Sequence, residues 1–480
     1  LSVYDDRLNR KVASHPLFSQ LDPERYLTYT RQLRQLIDLF REENVELESK
    51  DKETSQRFAE ISGAMNIEHR GVTLTMQQAG KLLEETDRSL RQEVWEKMAR
   101  RRLQDRAALE EIFETLRDLR HQMATQAGYA SFTRYRFDQL CRFDYTPADT
   151  RAFHEAVELV VRPIYEGLLE ERRKALGVEK LRPWDMNVDV YGDKPLRPFE
   201  NGRELLEKSI LALSQLRPEL GEMLRIMDRM QYLDLESREG KAPGGYNYPL
   251  AETGVPFIFM NAAGSQSDVI TLLHESGHAV HSFMTRDISL SLHKEPPTEV
   301  AELASMSMEL LCLEQYRQFY PDDKDLIRAQ KDQLSHCITI FPWVATVDAF
   351  QQWAYDHPAH TAEERSAMWV SLYHRFHGDA VDWTGFEEVL ESQWTKQLHI
   401  FEVPFYYIEY AISQLGALAV WRNFRIHPEE GLQQYLDALR LGYQKPIPEI
   451  YKTAGIQFSF SADYMRECVE FCLEAYRKLE

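Results

Sequence analysis

Between Val255 and Leu310 the chain places four features in an order that few folds accommodate. A short apolar run and a tight turn lead into a helix carrying His274-Glu275-Ser276-Gly277-His278, and after a break comes a second helix rich in glutamate. The pentapeptide reads HExxH. On an α-helix two His four residues apart lie about 40° apart around the axis and one turn along it, so both imidazoles reach a single ion. Glu275 falls at the edge of that face, where a carboxylate can hold a water rather than the ion itself. HExxH on a helix is the pattern of zinc-dependent peptidases, although five positions with two free ones are only moderately specific alone.

The flanking residues narrow the reading. Val255-Pro256-Phe257-Ile258-Phe259-Met260-Asn261 has strand character, Ala262 to Ser267 turns the chain, and Ser267 or Asp268 is the expected cap of a helix holding Val269, Ile270, Leu272 and Leu273. A strand edge beside a metal would bind an extended peptide through main-chain hydrogen bonds. Downstream, Pro296-Pro297 ends one segment, Thr298 is the expected N-cap, and Glu299 to Tyr320 contains no helix breaker. Glu302 and Glu309 are seven apart and share a face, with Glu299 one turn earlier; one of these carboxylates can complete a His-His-Glu set. For Glu299 and Glu309 the alternative is a solvated helix face.

The run Ala301-Glu302-Leu303-Ala304-Ser305, 24 residues after His278 and followed by Glu309, resembles the thimet oligopeptidase/oligoendopeptidase F family of zinc metallopeptidases, with the oligoendopeptidase F branch the nearer. By motif the resemblance covers Gly240 to Leu418. It implies a mostly α, large two-lobed helical zincin-like peptidase, with a small β-sheet beside the HExxH helix and a deep substrate channel. It also implies one zinc ion per chain, held by His274, His278 and Glu302, with Glu275 as general base and Glu309 as the outer supporting carboxylate; Glu299 is a further candidate for that outer layer. In that family a His followed by Tyr-x-x-Tyr supplies hydrogen-bond donors opposite the metal. The carry-over falls on Tyr410, then Tyr407 and His399, with Tyr406 competing for the role of Tyr407. Tyr407 and Tyr410 are expected on one face of a helix beginning after Pro404; on spacing alone these aromatics would equally be core. Ile412-Ser413-Gln414 stands where many relatives carry smaller residues.

Composition sets the boundaries of function. A formal charge of −20, from 57 basic and 77 acidic side chains, argues against nucleic acid or an anionic membrane as a partner held by a general positive field. Five scattered cysteines argue against a disulfide framework and fit a reducing, cytoplasmic setting. No apolar run approaches the ~18–20 residues of a membrane span, and the opening Leu1-Ser2-Val3-Tyr4-Asp5-Asp6-Arg7 does not resemble a signal peptide. The chain opens without Met, and the resemblance implies further helical sequence before it. With 480 residues and 43% hydrophobic content, a large core or two lobes are possible.

Along the rest of the chain, Asp22-Pro23 is expected to start a helix, Met65 to Leu74 a small hairpin around Gly71, and Asp87 to cap a long helix. Arg100-Arg101-Arg102 reads as a solvated helix face rather than a nucleic-acid patch. Thr146-Pro147 starts a helix reaching about Leu176, and the Pro-rich stretch from Gly177 to Asn201 is the expected lobe junction. Residues 1–75 are expected as an N-terminal helical segment and 76–480 as the catalytic region. Lys241 to Tyr248 reads as a mobile turn, since it has neither GxGxxG spacing nor a phosphate-binding lysine. His374 and His377 lack partners for a second metal site.

The reading that follows is a zinc endopeptidase cleaving internal bonds of short oligopeptides. Two alternatives stand beside it. A metallocarboxypeptidase or dipeptidyl carboxypeptidase would need a cationic anchor such as Arg422 or Lys445. A noncatalytic, zinc-stabilised peptide-binding protein would show a closed four-ligand site. Oligomeric state, side-chain preference and the choice of zinc over Mn²⁺ or Co²⁺ are not set by these residues.

Overall fold

The computed structural model describes residues 2–192, 194–238, 241 and 244–479. The chain is mostly helical, with strands confined to a two-stranded and a three-stranded sheet among the described residues. It divides into two compact units, each assembled from three stretches of sequence.

The first unit comprises Leu1–Leu21, Thr30–Pro195 and Thr339–Ile408. Strands β1 (Asn66–His69) and β2 (Val72–Thr75) form the expected hairpin, closed by Arg70 and Gly71, both at positive φ. Asp87 accepts hydrogen bonds from the backbone of Ser89 and Leu90 and so starts the helix Arg88–Gln104. The expected single long helix breaks at Asp105 and resumes as Arg106–Gln126. Arg100 pairs with Glu96 one turn before it, as a solvated face does. The interior is aromatic: Phe113, Phe350, Trp369, Trp394 and Phe401 are buried together, with Phe350 edge-on to Trp369 at 5.2 Å between centroids. His377 stacks on Tyr373 in this unit, whereas His374 pairs with Asp379 at the surface.

The second unit comprises Asp22–Tyr29, Leu196–Ile338 and Glu409–Glu480. Asp22 caps a turn, through Glu24 and Arg25, and the helix itself begins only at Leu27. Its sheet has the order β3 (Leu233–Glu236), β5 (Phe257–Ala262), β4 (Tyr246–Tyr248), with β5 parallel to β3 and antiparallel to β4. The strand expected to offer a free edge is therefore the central one. Both sides of β5 are occupied, because Ile258, Met260 and Ala262 alternate into the core and the strand is worth more inside the sheet. The outer strands of this sheet are β3 and β4. The β4 segment was expected as a turn; Tyr246–Tyr248 instead pair with β5, and Ala242 and Pro243 of the expected turn lie outside the described residues.

Two helices follow β5. The motif helix runs Gln266–Thr285; its cap is Ser265, not Ser267 or Asp268. Ser265 Oγ accepts from the Asp268 backbone and Asp268 accepts from the Ser265 backbone, a reciprocal pair that satisfies two exposed N–H groups. The glutamate helix runs Thr298–Leu311, with Pro297 in the cap position and Thr298 as its first residue. It stops at Cys312, where the chain tightens into a 3₁₀ turn over Leu313–Gln318, so the unbroken helix expected to Tyr320 is shorter than the lack of breakers suggested. All five cysteines are free thiols, and Cys468 and Cys472 are core residues of the helix Ala462–Lys478. Among the described residues no helix is long and apolar enough to cross a membrane.

Candidate active site

The motif and glutamate helices meet at Gly277. A Cβ there would lie 2.6 Å from the Ala304 carbonyl oxygen and 2.6 Å from the Ser305 Cα, so only glycine lets the two backbones touch at this point. The close approach carries a carboxylate from one helix to the imidazoles of the other. Glu302 Oε2 stands 3.3 Å from His274 Nε2 and 3.9 Å from His278 Nε2, and one donor atom from each of the three residues lies within 4.8 Å of the others. The two imidazoles are edge to face, 5.0 Å between centroids. Two nitrogens and one carboxylate oxygen converging from two helices form a donor set that would suit zinc.

His274 and Glu302 are held from behind. His274 Nδ1 donates to Glu309 Oε1 at 2.7 Å, which fixes the ring and leaves Nε2 to face Glu302. Glu309 Oε2 in turn accepts from Gln333 Nε2 at 2.7 Å. Ser305 Oγ donates to Glu302 Oε2 at 3.0 Å. Glu299 and Glu309 are both buried, so the solvated-face alternative fails for each. The Glu299 carbonyl takes bonds from Ser413 and Tyr451, which tie two further helices to this one.

Burial and charge work against each other here. Burial disfavours the His274 imidazolium, yet the Glu302 and Glu309 carboxylates bonded to it hold its pKa well above the ordinary value. Burial likewise opposes ionised Glu302, but the bond to His274, the nearby His278 and Ser305 bring it down to about 2. His278 is pushed down to about 4 by burial. Glu275 is pushed up to about 7, chiefly by burial, with Glu302 and Glu309 adding to the effect of low polarity. Its Oε2 is buried without a protein partner among the described residues. Such an oxygen calls for a water or a substrate proton nearby.

The second expected group of residues is placed differently. Phe405 adopts φ 66°, and the helix starts at Ile408 rather than after Pro404, so Tyr407 stands just before it and Tyr410 in its first turn. Tyr410 is in the first turn of the helix Ile408–Ile426, which docks on the glutamate helix through Ser413 and through Gly416, whose absent side chain leaves room for Leu303 and Tyr451. Tyr407 and His399 belong to the first unit, where their rings meet edge to face at 4.7 Å. His399 Nδ1 is 2.7 Å from Gln397 Nε2, and burial pushes its pKa down to about 4.

A family model, Peptidase family M3, matches residues 81–470. The chain belongs to peptidase family M3. Among curated relatives it is 24% identical over 325 residues to an oligoendopeptidase F homolog of Lactococcus lactis, covering 66% of this chain and 52% of the relative. It is 21% identical over 385 residues to oligopeptidase PepF of Bacillus subtilis, covering 76% and 55%. The chain thus spans about half the length of the curated relatives it matches. Among solved structures, PZ peptidase A bound to an inhibitor superposes with TM-score 0.92 at 26% identity, over 99% of this chain and 85% of that one. Oligoendopeptidase-F of Enterococcus faecium shares the fold, at TM-score 0.68 and 19% identity over 100% and 82%.

Four contributors to the M3 site were not singled out from sequence. Gly277 and Ser305 had a signal available: a glycine inside an amphipathic helix marks a close backbone approach, and a serine three residues after a buried glutamate can reach it. Ser265 could have been recognised as a cap by its Ser-x-x-Asp spacing. Gln333 had none, being 24 residues beyond Glu309 on another helix, Asp323–Asp356.

Proposed function

We propose that this M3 chain is a zinc-dependent endopeptidase that hydrolyses internal peptide bonds of short oligopeptides. The observation that carries the reading is the Glu275 carboxylate. It is buried, has an oxygen without a protein partner among the described residues, and stands in sequence between the two histidines that form a donor cluster with Glu302. In this reading His274, His278 and Glu302 hold one zinc ion per chain, Glu309 supports them, and Glu299 contributes to the outer carboxylate layer. Bound there, zinc supplies Lewis acidity that lets water ionise near neutral pH.

Glu275 then takes the proton from the attacking water as the oxygen adds to the scissile carbonyl. It delivers that proton to the amine nitrogen as the C–N bond breaks, so the carboxylate ends as it began. Negative charge that develops on the carbonyl oxygen is met by hydrogen-bond donors, the role assigned to Tyr410, Tyr407 and His399, each typically worth ~10²–10³ in rate. The outer strand β4, whose Asn247 amide is 3.5 Å from the Glu275 carbonyl oxygen, is the strand on which an extended peptide would lie. An endopeptidase is favoured over a carboxypeptidase because the two cations considered as anchors are already paired, Arg422 with Glu467 and Lys445 with Glu449.

Internally quenched peptides of graded length, with free and amidated C-termini, test the proposal before and after chelation and return of zinc, alongside Glu275→Gln. Internal cleavage that is lost on chelation, restored by zinc, indifferent to amidation and abolished in the variant is the expected result. Loss on amidation would move the assignment to a carboxypeptidase. A folded, zinc-loaded protein that cleaves nothing would leave the peptide-binding alternative.

A further inference from the structure

Gln333 is fully buried, and its amide is satisfied at one end: Nε2 donates to Glu309 Oε2 at 2.7 Å while Oε1 has no protein partner among the described residues. A buried amide satisfied at only one end is costly, and an apolar side chain of the same length would pack at lower cost. It sits at the far end of a chain of contacts. Glu302 faces His274 Nε2, His274 Nδ1 donates to Glu309 Oε1, and Gln333 occupies the other Glu309 oxygen. Those two bonds leave the Glu309 carboxylate one donor on each oxygen, which fixes its plane and therefore the direction from which the His274 ring is held.

Resting on the zinc reading above, we propose that Gln333 is a positioning residue of the metal centre: through Glu309 it orients His274 so that Nε2 points at the ion. Ser305 performs the neighbouring task for Glu302 from within one helix, but Gln333 acts from a separate one, Asp323–Asp356. Its contribution is directional rather than a matter of bulk. Removing the amide while keeping the volume lets the Glu309 carboxylate rotate, and outer partners of this kind typically change metal affinity ~10–100-fold.

The test is a double-variant cycle read as zinc affinity, by competition with a chromophoric chelator, on the whole chain. The variants are Gln333→Met, Glu309→Gln and both together, with thermal unfolding recorded for each. Gln333→Met is expected to weaken zinc binding ~10–100-fold and to add little further loss in the Glu309→Gln background, because both act along one line. Unchanged affinity in Gln333→Met overturns the proposal. Losses that multiply in the double variant also overturn it, since they assign Gln333 a packing role independent of Glu309. Should Gln333→Met not fold, Gln333→Glu keeps the size, removes the donor when ionised and enters the same cycle, where the same two results would overturn the proposal. If the wild-type chain binds no zinc the metal reading falls first and this inference with it; if it binds zinc and the variants match it, only the role of Gln333 falls.

Discussion

The pair of helices that carries His274, Glu275, His278, Glu302 and Glu309 and the stretch from His399 to Tyr410 both hold residues expected at the site, yet spacing predicts the geometry of only the first. The helices Gln266–Thr285 and Thr298–Leu311 are unbroken across every residue of interest. Within such a helix the dihedrals are fixed, so i, i+4 and i, i+7 are statements about direction. Between His399 and Tyr410 the chain ends one short helix at Glu402, passes Pro404, takes a positive φ at Phe405 and starts a new helix at Ile408. These changes of backbone state, packed into so short a stretch, erase the period, and an i, i+3 relation then says nothing about faces.

If the first region is the chemical centre, its central carboxylate should be the most sensitive position in the molecule. Glu275→Gln is expected to lower turnover ~10²–10⁴-fold with zinc stoichiometry unchanged, as read by steady-state cleavage beside metal analysis. Retained turnover would remove the general-base role. For the second region the corresponding test is Tyr410→Phe against Tyr407→Phe. A loss of ~10²–10³ in kcat for the Tyr410 variant, with a smaller one for Tyr407, would match the packing of the Tyr410 helix on the glutamate helix. The reverse ranking would show that the broken segment delivers the donor.

Support from behind is the next level. Glu309→Gln keeps the shape but weakens the acceptor for His274, and zinc affinity is expected to fall ~10–100-fold, measured by chelator competition. Gly277→Ala tests the contact that brings the helices together. A methyl 2.6 Å from the Ala304 carbonyl must push the backbones apart, at a cost of ~1–3 kcal/mol seen as a lower urea midpoint, with weaker zinc binding as its corollary. An unchanged midpoint would mean that the helices separate freely.

The smallest expected effect compares the two units through one buried histidine in each. His281 on the motif helix and His377 in the first unit are both pushed down to about 3 by burial. An unfolded His titrates near ~6.5, so the folded state binds fewer protons below that pH, and the stability these neutral rings contribute is complete above ~6.5 and is lost as pH falls towards the folded value. Replacing His377 by Gln should therefore flatten the fall in urea midpoint between pH 7 and pH 5 by roughly 2 kcal/mol in free-energy terms. A slope identical to that of the wild type would mean that His377 is not kept neutral by the fold.

Much of the site could be read without coordinates because its atoms are attached to regular helices in one short stretch. His274, Glu275 and His278 follow from a five-residue pattern, and Glu302 from the family resemblance carried by Ala301 to Ser305. The capped helix at Asp87 and the hairpin around Gly71 were similarly local, each fixed by a side chain or a turn close by in sequence. The strand beside the motif was recognised, but not its rank in the sheet. A run of alternating apolar residues states that one face is buried and is silent on whether a short neighbour such as Tyr246–Tyr248 will cover its edge.

What the sequence by itself determined is the candidate donor set: His274, Glu275 and His278 on one helix, and glutamates able to complete the set on the next, because the α-helical period converts spacing into direction. Tertiary structure alone decided how near the two helices come, through the missing side chain of Gly277 and the Ala304 and Ser305 backbone opposite it. It also decided that Gln333 stands behind Glu309, and that the helix carrying Tyr410 starts only at Ile408. Those outcomes depend on packing between segments remote in sequence and on non-helical dihedrals, which no local repeat encodes.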